Sequence, residues 1–89
     1  MFLAYDTPEG VTIIRPAMHE RGEDESTDDF LRRVLARNVE TSAQRTRRGI
    51  VVNPNLTQTT PVYVVGSVPD IGSPERAAWK IPATAKRIQ

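Results

Sequence analysis

Cysteine is absent from the 89 residues, which removes disulfides and thiolate metal sites from consideration and leaves the redox compartment unconstrained. Aromatic residues are scarce at 6%, with one Trp, two Tyr and two Phe, so a large aromatic core is ruled out. No apolar run approaches the ~20 residues that a membrane-spanning helix needs. The opening Met1-Phe2-Leu3-Ala4 lacks the basic segment and the length of a secretory signal, so synthesis inside a cell is the expectation. No glycine-rich phosphate loop and no serine elbow occur, so neither nucleotide-type phosphate binding nor acyl transfer finds a motif. The single histidine, His19, lies in an acidic stretch with Glu20 and Asp24 and reads as a surface residue rather than half of an acid-base pair. Glu23, Asp24, Glu25, Asp28 and Asp29 lack the alternating spacing and central glycine of a calcium loop; they read as acids placed at a helix start, where the macrodipole favours them. No cofactor is expected, and no catalytic or metal-ligating set emerges.

What is present is a thin supply of apolar residues, 38%, with seven prolines. A chain of this length is one small domain that buries only somewhat over 60% of its unfolded surface, roughly by the usual scaling. Arms supported by neighbours, and a homo-oligomer or larger assembly, are the natural remedy. Charge is laid out unevenly: residues 1 to 40 carry nine acids against five bases, and residues 41 to 89 carry two acids against seven bases. Such a chain can neutralise itself within one fold or dock its basic half on an acidic partner.

The densest apolar block, Pro61 to Ile81, holds a strand-like run Val62-Tyr63-Val64-Val65 and the only Trp, Trp79. Earlier in the chain, Phe2 to Tyr5 and Val11 to Ile14 flank Asp6-Thr7-Pro8-Glu9-Gly10, and the pair reads as a hairpin. Ser26 or Thr27 caps a helix predicted over about 27–38, with Phe30, Leu31, Val34 and Leu35 on one face. Thr41 to Gly49 has no apolar periodicity and contains Arg45, Arg47 and Arg48, so it reads as an exposed basic arm opening an excursion over 41–60, broken by a short strand at 50–52. Ser73-Pro74-Glu75 starts a helical turn over 74–79. Residues 82–89, with Lys86 and Arg87, read as a basic tail. The predicted fold is α+β: a small mixed or antiparallel sheet with the main helix on one face. Its core is Phe30, Leu31, Val34, Leu35, Tyr63, Val65 and Trp79.

The order Val11-Thr12-Ile13-Ile14-Arg15-Pro16-Ala17, then Phe30-Leu31-Arg32-Arg33-Val34-Leu35, then Thr60-Pro61-Val62-Tyr63-Val64-Val65, then Val68-Pro69-Asp70 and Arg76-Ala77-Ala78-Trp79 resembles a group of short bacteriophage and prophage proteins of unassigned role, whose genes accompany tail and tail-fibre genes. About twenty residues, Glu40 to Thr59, stand where that group has a brief turn, and the aromatic residue it carries ahead of the Ala-Trp pair is missing. The resemblance implies a virion structural or assembly protein, made in the host cytoplasm and then carried in the particle, with no enzymatic activity and other virion subunits as partners. Arg45, Arg47, Arg48, Lys86 and Arg87 are the expected docking residues. A regulator acting on a host protein or nucleoprotein is one alternative. A nucleic-acid-binding protein is another, disfavoured because only three arginines cluster and no aromatic residues interleave with them. No membrane partner is expected.

Overall fold

The computed structural model describes residues 1–89. Its chain runs β1 (Phe2–Thr7), β2 (Gly10–Ile14), a 3-10 turn (Met18–Glu20), α1 (Thr27–Arg47), β3 (Tyr63–Val65), α2 (Pro74–Ala78) and β4 (Lys86–Arg87). The four strands form one antiparallel sheet in the order β2-β1-β3-β4, so the α+β expectation holds in its antiparallel form.

The hairpin forms where Pro8 and Glu9 bridge Thr7 and Gly10. The Thr7 hydroxyl donates to the Gly10 carbonyl at 2.7 Å and accepts from Glu9 N–H at 3.2 Å. Gly10 sits at φ 124°, a backbone setting that only glycine adopts without strain. Directly paired residues share a sheet face, so the register puts Leu3, Tyr5, Ile14 and Val64 on one side and Phe2, Ala4, Ile13, Tyr63 and Val65 on the other. The first side meets α1. Leu3, Tyr5, Ile14 and Val62 from the sheet side join Phe30, Leu31 and Leu35 of the helix and Leu56 of the following loop in one cluster, with Val34, Val39, Val64 and Ile88 packed against it. Only 12 of the 89 residues are buried, so each fully buried large side chain, contributing roughly 1.5–3 kcal/mol, carries much of the fold.

Several sequence expectations are corrected. The main helix ends at Arg47 rather than near residue 38. The inward stripe of Phe30, Leu31, Val34 and Leu35 continues at helical spacing through Asn38, Val39 and Ser42, and two of those rungs are polar. Ser42 is nonetheless buried, its hydroxyl donating to the Val52 carbonyl at 2.7 Å and reaching the Asn53 carbonyl at 3.3 Å. Asn38 donates to the Val34 carbonyl at 2.8 Å and accepts from the Asn53 side chain at 2.9 Å. The arm expected at 41–60 is therefore helix as far as Arg47, followed by a pinned loop. The strand expected at 50–52 does not form: the loop turns instead through Asn53 and Asn55, both at positive φ, and Tyr5 OH donates to the Pro54 carbonyl at 2.9 Å. Burial of that ring raises the Tyr5 pKa.

The 82–89 segment is likewise not a free tail. Lys86 and Arg87 pair with Val64 and Tyr63, Ile88 N–H donates to the Val62 carbonyl at 2.8 Å, and the Gln89 side chain donates to the Thr57 and Thr60 carbonyls. Two residues expected in the core stand apart from it: Tyr63 is half-buried on the face away from α1, and Trp79 is half-buried as the C-cap of α2. Phe30, Leu31, Leu35 and Val65 are buried as expected.

Candidate interaction surface

The two ends of α1 differ in chemistry. At the start, the Ser26 hydroxyl accepts from Asp29 N–H at 3.1 Å, and the acidic residues near the positive end of the macrodipole are largely engaged. Glu25 receives a two-pronged contact from Arg33, at 2.9 Å from Nε and 2.8 Å from Nη2, and a further bond from Gly22 N–H at 3.2 Å. The Arg33 hydrogen bond, with help from Gly22, holds the Glu25 carboxyl down at about 2, and Glu25 in turn raises Arg33. Arg33 also donates to the Glu20 carbonyl at 3.3 Å and lies over the Phe30 ring. Together with the bond from Arg21 to the Glu25 carbonyl at 2.6 Å, these contacts fold the 17–25 loop back on the helix. Lys86 reaches Asp28 and depresses its carboxyl.

The other end carries unpaired cations. Helix α1 has 21 residues and so runs about 31 Å, against about 20 Å for the longest strand at ~3.3 Å per residue. Residues 43–51 are all exposed. Termination is sharp: Gly49 adopts φ 77°, its N–H bonds the Thr46 carbonyl at 3.0 Å, and Ile50 N–H bonds the Arg45 carbonyl at 2.9 Å. This reciprocal pair is the Schellman arrangement, in which the residue after the glycine usually packs back on an apolar side chain one turn earlier. Here that turn offers Gln44 and Arg45, so Ile50 remains 49% exposed and Val51 73% exposed. Arg45, Arg47 and Arg48 precede them within the last turn of the helix and its cap. The three ion pairs of the structure are Arg32 with Asp29, Arg33 with Glu25 and Lys86 with Asp28; none involves these three arginines. A guanidinium group can bind a carboxylate or phosphate in a planar fork.

The five expected docking residues do not converge. Lys86 is held at Asp28, about 26 Å along the helix from Arg45 by the ~1.5 Å rise per residue, and Arg87 donates within its own strand end to the Gln89 carbonyl at 2.8 Å. What sequence reasoning missed is the Ile50-Val51 pair, read there as strand. The signal that finds it is Arg-Arg-Gly-Ile-Val after a helix with no breaker before Gly49. An open groove of about 680 Å³ runs beside this half of the helix, lined among others by Val39, Ala43, Leu56 and Gln58. No group of three or more His, Asp or Glu side chains is placed to hold a metal ion, His19 is exposed, and no helix is long and apolar enough to cross a membrane. The surface is suited to binding through charge and apolar contact.

No protein-family model, curated protein or solved structure matches this chain. The likeness to short phage proteins rests on the residues quoted for it alone.

Proposed function

We propose that this chain is a non-catalytic structural or assembly protein of a bacteriophage particle, in the tail or at the head–tail region, present in several copies and docking on other subunits through the C-terminal end of α1. One observation carries the docking mode: Arg45, Arg47 and Arg48 have no intramolecular ion-pair partner and lie within six residues of two exposed aliphatic side chains that follow a sharply capped helix end. A partner with an apolar recess rimmed by carboxylates satisfies both features, since aliphatic contact supplies affinity and the charges supply register and encounter rate. The virion setting is supported by the phage resemblance and by the small core. Nucleic acid is the weaker reading, because Ile50 and Val51 offer nothing to a phosphate backbone and residues 41–60 include no aromatic ring for base stacking.

Two measurements test this reading. Mass spectrometry of purified particles is expected to find the protein in stoichiometric amounts; particles without it remove the virion role. An Arg45→Ala/Arg47→Ala/Arg48→Ala variant is expected to fold and to lose incorporation while salt-dependent DNA binding stays at its starting level. Loss of DNA binding with incorporation intact would favour the nucleic-acid reading.

A further inference from the structure

The two edges of the sheet are built differently. At one edge β4 is two residues long and both are basic, Lys86 and Arg87, a short charged edge of the kind that resists a further strand. At the other edge β2 presents Gly10, Val11, Thr12, Ile13 and Ile14: five residues in continuous register with β1 from Leu3–Ile14 to Thr7–Gly10, with no charge and no proline. Beyond the ladder to β1, no other segment hydrogen-bonds the backbone of Val11 to Ile14. In an antiparallel ladder, alternate residues of an edge strand turn their N–H and C=O groups outward, so β2 offers unpaired donors and acceptors along an apolar strand. Beside it, on the helix side, lies an open groove of about 410 Å³ in which Ile14, Val34 and Val52 stand among Arg15, Arg33 and Arg37.

We infer that β2 is a pairing edge and that its occupant is β2 of a second copy, running antiparallel about a twofold axis at Thr12 and joining two four-stranded sheets into one of eight. The argument is self-complementarity. With the axis there, Thr12 faces Thr12 of the second copy, Val11 faces Ile13 in both directions, and Gly10 faces Ile14. Three of the five pairs match β-branched side chains with each other, the combination that stabilises neighbouring strands, and no charges meet because the strand has none. Such an isologous contact is closed at two copies. It also answers a physical need, because a fold with 12 buried residues gains buried apolar surface across the seam from Val11 and Ile13, which are only half-buried in the single chain. The opposite edge has no equivalent: Lys86 and Arg87 would face like charges. The pairing is independent of a virion role, and its test does not involve particles.

Sedimentation or light scattering of the purified chain is expected to give twice the single-chain mass. Val11→Lys, which puts a charge on the seam, is expected to lose the dimer while keeping its circular dichroism. Since the chain has no cysteine, Thr12→Cys tests the register even where Val11→Lys fails to fold. Directly opposed residues lie about 4.5–5.5 Å apart at Cα, within disulfide reach, so oxidised Thr12→Cys is expected to form a covalent dimer while Arg87→Cys, on the other edge, stays largely uncrosslinked. The inference is overturned by a wild-type chain of single mass at its highest soluble concentration, by a folded Val11→Lys that remains dimeric, or by Thr12→Cys crosslinking no faster than Arg87→Cys.

Discussion

Replacing Ser42 by alanine removes one oxygen atom from the junction that decides how the loop after α1 lies. The residue is 5% exposed, and its hydroxyl donates to the Val52 carbonyl at 2.7 Å and approaches the Asn53 carbonyl at 3.3 Å. Asn53 keeps a second donor, Leu56 N–H at 3.2 Å, whereas no other donor reaches the Val52 carbonyl. The cost is therefore the net worth of one buried hydrogen bond, about 1 kcal/mol, raised by incomplete solvation of one half-buried carbonyl to about 1–2 kcal/mol. Alanine's better helix propensity returns less than about 0.7 kcal/mol of this. For a domain of this size 1 kcal/mol moves the melting temperature by roughly 4–8 °C, so Ser42→Ala is expected to melt roughly 4–8 °C lower. Differential scanning calorimetry measures it, and Thr46→Ala, an exposed helix position with no side-chain bond, serves as the reference. Hydrogen exchange at Leu56 is expected to quicken, because the loop loses its tie to the helix. Equal melting temperatures for the two variants would refute the assignment of Ser42 as the residue that fixes the loop.

The core, the helix end and the acidic loop each give a further expectation. Leu35→Ala empties a site 2% exposed and is expected to cost about 2–5 kcal/mol in denaturant titration, a large share of the roughly 5–15 kcal/mol that holds a domain folded. Gly49→Ala meets no neighbour within 4 Å at its new Cβ but keeps φ 77°, so its cost is conformational, about 1 kcal/mol; Gly66→Ala, equally unobstructed and without a positive φ, is expected to be neutral or slightly stabilising. Glu25 is lowered from 4.5 to about 2, first by the Arg33 hydrogen bond. A depressed carboxyl stabilises the fold fully above its unfolded value and ceases to as pH falls through its folded value. Acid titration of wild type is therefore expected to show a stability loss between pH 4.5 and about 2 that is reduced in Glu25→Gln.

Much of the architecture was legible one segment at a time. Alternation and a Pro-Glu-Gly turn mark the first hairpin, Ser26 and the acids behind it mark the start of α1, and Ser73-Pro74 marks α2, because each depends on residues within one turn of chain. Antiparallel pairing, the order of strands and the partner of β4 depend on contacts distant in sequence. Lys86-Arg87 carries no strand signal of its own, being two cations that become a strand only because Val64 and Tyr63 present an open edge.

What the residues alone determined is thus the set of local conformations and the composition of the core: Phe30, Leu31 and Leu35 face inward by helical spacing wherever the chain folds. Tertiary structure alone decided which polar groups stay buried and which cations stay free. Ser42 and Asn38 are accommodated on the inward side of the helix because loop carbonyls and an amide at residues 52 and 53 return to meet them, and a return of that kind is invisible in periodicity. Lys86 and Arg45 carry the same charge in the sequence, yet one is paired with Asp28 and the other is exposed with no ion-pair partner. The reason is physical: hydrophobic patterning acts along the chain, whereas the pairing of a charge or a hydroxyl is set by whatever the fold brings within about 3 Å of it.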